Sequence, residues 1–255
     1  MTLEQRENAR IQKVVKANDL IQKSRYDLSI QQQKLLLYVI SHIKPEDEEL
    51  LPQQFTLKEL CEVCGMSQHR QNLKHIADNI KKIADTSYWI DIDGKYTLCR
   101  WFKEANIEKE KNNLITIELD NKLKPYLIQL NQFFTVYEVG YIYPMESKYS
   151  IRLYELLKSY ENIGKCSFDL TELKLKLQTP EYKEYNNFKK RVIEPALEEI
   201  NEYTDLQVSF KPIREGRNIK KLFFDINTKW QKEELIRTRL NGHKVLEENI
   251  KNDIE

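Results

Sequence analysis

From Phe188 onward the apolar residues fall on one helical face. Phe188, Val192, Ala196, Ile200 and Tyr203 form a stripe that Ile193 and Leu197 widen. Asn187, Lys190, Arg191, Glu194, Glu198 and Asn201 take the opposite side. The exposed face is therefore basic and amide-bearing in its first turns only. The stripe runs unbroken through Pro195, which predicts one bent helix and not two. Two strand-like runs follow, Leu206 to Pro212 and Lys220 to Thr228, joined by Arg214-Glu215-Gly216-Arg217-Asn218. A helix with cationic first turns, followed by a hairpin with a basic tip, suits duplex DNA. The helix can enter a major groove and the hairpin can clamp phosphates. An ordinary α+β unit with a solvated charged face would give the same local pattern, so the rest of the chain has to decide.

The first half carries a similar series. Ser29 can cap a helix running through Gln31 to about Ile43. Thr56 caps a second helix, Leu57 to Val63, with Glu59 placed for a capping box. Gly65 ends that helix and Ser67 starts a third, whose stripe is Leu73, Ile76, Ala77, Ile80, Ile83 and Ala84. This is the helix-turn-helix pattern. Its outer side shows Gln68, Gln71, His75 and Lys82, with His69, Arg70 and Lys74 beside them. Tyr88 to Ile92 and Tyr96 to Phe102 read as a hairpin around Asp93-Gly94. Leu114 to Leu119 and Phe133 to Val139 read as strands. Asn121 to Leu130 reads as a short helix interrupted at Pro125.

The two halves repeat one plan. Tyr154 lies 116 positions after Tyr38, Thr171 lies 115 after Thr56, and Phe188 lies 115 after Leu73. Scaffold helix, short Leu-rich helix, striped helix and hairpin recur in that order. The expected fold is α+β, two winged-helix domains in tandem. Residues 1–25 form an arm that is loose until it docks near its end. Residues 26–140 and 144–228 form the two domains. Gly140 to Pro144 is the linker, and residues 229–255 are a helical or frayed tail.

Charge refines this picture. The chain of 255 residues carries a formal net charge of +1, so it is not basic as a whole. The charge is segregated: Glu46 to Glu49 is acidic, while Arg10 to Arg25 and Lys189 to Lys221 lean positive. No apolar run spans a bilayer and no signal peptide opens the chain, which places it in the bacterial cytoplasm by expectation. Cys61 and Cys64 form a Cys-x-x-Cys without a second pair or two histidines at ligand spacing, so no metal and no redox role is expected. His42, His69, His75 and His243 include no pair two apart, as a rolling-circle nuclease would need. No Gly-x-x-x-x-Gly-Lys and no Gly-x-Ser-x-Gly occurs. No enzyme, catalytic residue or cofactor is expected.

The segment Ser147-Lys148-Tyr149-Ser150-Ile151-Arg152-Leu153-Tyr154-Glu155-Leu156-Leu157 resembles the signature of plasmid replication initiators of the Rep_3 type. So do Val14 to Ile21, Leu28 to Tyr38 and Phe188 to Ala196, and the resemblance spans about residues 14–226. It implies two winged-helix domains that bind repeated origin sequences (iterons) as a monomer. It implies homodimers through the first domain that repress the initiator's own gene. It also implies melting of an adjacent A+T-rich stretch and recruitment of the host initiator and helicase. An apolar hairpin (Tyr88, Ile90, Leu98, Trp101) longer than a wing requires adds to the dimer expectation.

In the second domain Asn187, Lys190, Arg191 and Glu194 are the expected base readers. Lys189 lies nearer the apolar side, so its stem should pack and its amine reach phosphate. Arg214, Arg217, Lys220 and Lys221 are the expected phosphate contacts of the wing. In the first domain the candidates are Gln68, His69, Arg70, Gln71, Lys74 and His75. Arg152, flanked by Ile151 and Leu153, is read as part of an internal ion pair and not as a DNA contact. Two other functions fit the same residues: a winged-helix transcription regulator without a replication role, and a tandem winged-helix protein-interaction module.

Overall fold

The computed structural model of the protein describes residues 12–66, 72–92, 94–108 and 113–229. The chain opens with β1 (Lys13–Ala17) and α1 (Asn18–Lys23). Helix α2 (Ile30–Ile40) starts at a capping box. Ser29 Oγ accepts from Gln32 N–H, and Ser29 N–H donates to Gln32 Oε1 at 2.9 Å. Strand β2 (Gln53–Thr56) leads into α3 (Leu57–Val63), which opens on the Thr56–Glu59 capping box. Gly65, at φ +68°, takes the left-handed turn that ends it. Helix α4 (Asn72–Asp85) buries Ile76, Ile80 and Ile83. Strands β3 (Ser87–Ile92) and β4 (Lys95–Arg100) pair across Gly94. Then come β5 (Phe102–Glu108), β6 (Leu114–Leu119), α5 (Lys124–Leu127) and β7 (Phe134–Glu138). Pro125 sits in the first turn of α5, where its missing N–H costs nothing. It helps start that helix and does not interrupt it.

The second series is α6 (Lys148–Lys158), β8 (Lys165–Asp169), α7 (Leu170–Lys176), α8 (Tyr185–Phe188), α9 (Glu194–Tyr203), β9 (Leu206–Glu215) and β10 (Asn218–Thr228). Its sheet has the order β8-β10-β9, and the first series has a sheet of order β2-β6-β5. The matching orders identify two winged helices and correct one detail. The counterpart of the β9–β10 wing is β5–β6. The β3–β4 hairpin, expected as the first wing, is an insertion between α4 and that wing. The repeat is also looser than one offset suggests. Ser147 caps α6 as Ser29 caps α2, 118 positions earlier. Asp169, not Thr171, caps α7, accepting from Thr171 N–H at 2.8 Å and Glu172 N–H at 3.2 Å.

Part of the expected arm is structural. Strand β1 pairs with β7 and sends Lys16 inward, where its ammonium meets Glu155 of α6. Arg152 is buried and donates to the carbonyls of Ile21 (2.5 Å) and Ser24 (2.8 Å). Its Nη1 lies 3.7 Å from Glu155, and its guanidinium lies 5.0 Å from the Tyr26 ring centroid. The internal role expected for Arg152 is the one found. The linker is held as well: Lys34 donates to Tyr143 O at 2.7 Å, and Ile142 is fully buried.

Candidate nucleic-acid interface

Helix α8 continues through a π-helical turn (Lys189–Ile193) into α9, with right-handed backbone angles at both junctions. One continuous helix therefore covers 185–203, as the apolar stripe requires. The wide turn falls just ahead of Pro195, where an α-turn would press the proline ring against the carbonyl of Arg191. Phe188, Val192, Ile193, Ala196 and Ile200 are buried. Asn187, Lys190 and Arg191 are exposed on the other side. Lys189 is half-buried, and its ammonium lies 3.0 Å from Glu194. That carboxylate holds the Lys189 amine proton and pushes its pKa up. The two residues expected to touch DNA separately are thus paired in the DNA-free protein.

Helix α7 precedes this helix and steadies it. Lys174 donates to Lys183 O at 3.0 Å, and its ammonium lies 5.5 Å from the Phe188 ring centroid. Burial pushes the Lys174 pKa down. At the far end, the Asn201 side chain brackets Val208, donating to its carbonyl (2.9 Å) and accepting from its N–H (2.7 Å). The helix is thereby fastened to the wing strand β9.

The wing is longer than its hydrophobic runs suggest. Glu215 pairs with Asn218, leaving the two-residue turn Gly216-Arg217, with Gly216 at φ +62°. Pro212 is tolerated because β9 is the edge strand. Arg214, Arg217, Lys220 and Lys221 are all exposed. Arg214 reaches Arg217 O at 3.4 Å, so the tip folds one of its cations back upon itself. Pattern reading missed two further residues. Lys211 stands on the wing with its ammonium 4.9 Å from the Phe223 ring centroid. Tyr185, at the helix start, lies close enough to Lys189 and Arg214 for both to lower its hydroxyl pKa against burial, which raises it. The i,i+4 spacing of Tyr185 from Lys189 was the available signal.

In the first domain Lys74 and His75 are exposed on α4. Gln68, His69, Arg70 and Gln71 lie outside the described residues. The β3–β4 hairpin turns out differently from expectation. Tyr88, Ile90 and Trp101 are buried within their own domain, with Tyr88 and Trp101 4.6 Å apart. Successive strand residues alternate between faces, so the outward residues are Trp89 (56% exposed), Tyr96 (65%) and Leu98 (42%).

Among the described residues no group of three His, Cys, Asp or Glu could hold a metal ion, and no helix is long and apolar enough to cross a membrane. Cys61 and Cys64 are buried, and burial pushes the Cys64 thiol up to about 12.

A family model described as initiator replication protein, WH1, matches residues 13–158, and one described as initiator Rep protein, WH2, matches residues 169–226. A replication initiation protein of Escherichia coli is 25% identical over 251 residues, covering 91% of this chain and 76% of that protein. Two crystal structures of RctB domains 2 and 3 are similar. One has a TM-score of 0.48 at 16% identity over 83% of this chain and 82% of that one. The other has 0.47 at 14% identity over 84% and 88%.

Proposed function

The chain belongs to the initiator replication protein family, with both of its winged-helix domains, and on that premise we propose that it starts plasmid replication by binding repeated origin sequences. Membership gives a DNA-binding initiator. The finer steps are the proposal. The 185–203 helix enters the major groove of each repeat. Asn187, Lys190, Arg191 and Glu194 face the base edges, where Asn suits adenine, Arg suits guanine and Glu accepts from cytosine. Lys189, Arg214, Arg217, Lys220 and Lys221 take phosphates. Gln68, His69, Arg70, Gln71, Lys74 and His75 give the first domain its own groove contact. Bound copies help open an adjacent A+T-rich stretch and recruit the host initiator and helicase in the bacterial cytoplasm. A homodimer through the first domain represses the initiator's own gene.

One observation carries this reading. Most exposed cations of the second domain lie at the start of one helix and on the wing beside it, with Lys165 of β8 set apart, while Glu198 and Glu202 lie toward the helix's far end. A chain of net charge +1 with its cations so placed presents one face to DNA. Footprinting on DNA flanking the gene tests it. Several evenly spaced direct repeats should be protected, with affinity falling steeply as salt rises. A single protected palindrome would make the protein a transcription regulator. Binding indifferent to salt would remove DNA as the ligand.

A further inference from the structure

Tyr185 opens the 185–203 helix with a hydroxyl that is buried and has no hydrogen-bond partner. Lys189, Glu194 and Arg214 are the charged groups that act on that hydroxyl. Lys189 follows Tyr185 by one turn and shares its face. Glu194 would not: in a regular α-helix five residues rotate a side chain about 140° away from Lys189. The π-turn closes that gap and sets the carboxylate 3.0 Å from the Lys189 ammonium. Both side chains of this pair are partly exposed, at 38% and 40%, so solvent weakens the attraction. A DNA phosphate can draw such an ammonium away. Glu194 then faces an anionic duplex without its cation, and the nearby unused hydrogen-bond donor is the Tyr185 hydroxyl. An unpartnered buried hydroxyl is itself unfavourable, so the exchange relieves two groups at once.

We infer that Tyr185 is a positioning residue for sequence recognition: as DNA phosphate takes Lys189, the Tyr185 hydroxyl donates to the freed Glu194 carboxylate and holds it toward the base edges. This rests on the base-reading role proposed above for Glu194. The exchange makes the Lys189–Glu194 pair a feature of the free protein only. It also gives the π-turn a purpose beyond accommodating Pro195, because without it Glu194 would face away from both partners.

Binding-site selection and salt-dependent binding should be compared for the full chain, Tyr185→Phe, Glu194→Gln and the double variant. Tyr185→Phe removes one oxygen and leaves the ring in place. It should lower preference at a single base position by about fivefold or more, at the same position that Glu194→Gln relaxes. The salt slope should not change, and the double variant should be no worse than Glu194→Gln alone. The inference is overturned if Glu194→Gln relaxes a position and Tyr185→Phe relaxes none, or if the two effects add. Loss of affinity for all sequences alike in Tyr185→Phe would also overturn it, since that marks a structural or wing-setting tyrosine. If Glu194→Gln itself changes no base preference, the base-reading role fails and takes this inference with it.

Discussion

The Lys16 ammonium and a Glu155 carboxylate oxygen stand 2.7 Å apart, with each side chain only 1% exposed. Lys16 comes from strand β1 and Glu155 from helix α6, more than a hundred residues later. Tyr137 adds a hydrogen bond to the same oxygen at 2.7 Å, and Arg152 approaches the other oxygen. Strands β1 and β7 and helix α6 are thus held together by a desolvated ionic network as well as by apolar contact. Glu155 is the shared carboxylate of two buried cations, so removing it leaves Lys16 and Arg152 without a counter-charge. Glu155→Leu should cost about 3–5 kcal/mol in denaturant unfolding. Lys16→Met combined with Glu155→Leu should recover part of that loss, because one of the two buried cations is then gone. A double variant as unstable as the single would show that the pair supplies net attraction of its own.

Acid should weaken the same joint. Burial alone would raise the Glu155 pKa, but Lys16 and Arg152, with hydrogen bonds from Lys16 and Tyr137, overcome it and hold the carboxyl below its ordinary value of 4.5. A group with a depressed folded pKa contributes stability that is fully present above its unfolded pKa. That stability is lost as pH falls through the folded one. Melting temperature should therefore hold steady above about pH 5 and fall below about pH 4.5. Glu155→Gln should be less stable at pH 7 and should lose part of this acid dependence. An acid limb of unchanged steepness in that variant would assign it to other carboxylates.

The wing prediction concerns ions. Arg217→Ala should weaken binding to specific and non-specific DNA alike and flatten the salt slope by about one ion. Fluorescence anisotropy over a series of salt concentrations measures it. An unchanged slope would remove Arg217 from the phosphate contacts.

Of the hairpin residues expected to pair two copies, Leu98 alone is exposed, and the dimer prediction moves to it and its outward neighbours. Trp89, Tyr96 and Leu98 are exposed on the outer face of the β3–β4 hairpin, and aromatic anchors of this kind dominate protein interfaces. Trp89→Lys with Tyr96→Lys should leave the fold intact and shift sedimentation of the full chain to monomer. A variant that stays dimeric would place the contact elsewhere.

Helix positions were legible because local chemistry sets them. Ser29 and Thr56 each carry the third-residue partner of a capping box, and the stripe from Phe188 to Ile200 is an uninterrupted face. Strand β1 was not legible, since its partner β7 lies more than a hundred residues away and one of its two buried residues is a lysine. Lys16, Glu155 and Lys158 look like surface charges in sequence, and only the tertiary fold buries them. Arg152 was readable because Ile151 and Leu153 flank it. The hairpin from Tyr88 was found, but which hairpin is the wing depends on which strand pairs with β2. Alternation placed apolar residues on both faces of that hairpin, and pattern could not say which face was covered. For the helix at Pro195, continuity followed from the stripe. The π-turn and the Lys189–Glu194 pair that it creates did not, because five-residue spacing carries no signal in an α-helical pattern.

Binding-site selection with Arg191→Ala against the unaltered protein tests the central claim most directly. Arg191 is exposed in the helix assigned to the major groove, opposite Val192 and Ala196 in the core. The variant should lose about 1–3 kcal/mol on the cognate repeat and relax preference at one base position, leaving the others as they were. Identical base preferences at every position would make Arg191 a phosphate or structural residue, and the assignment of this helix to sequence reading would be contradicted.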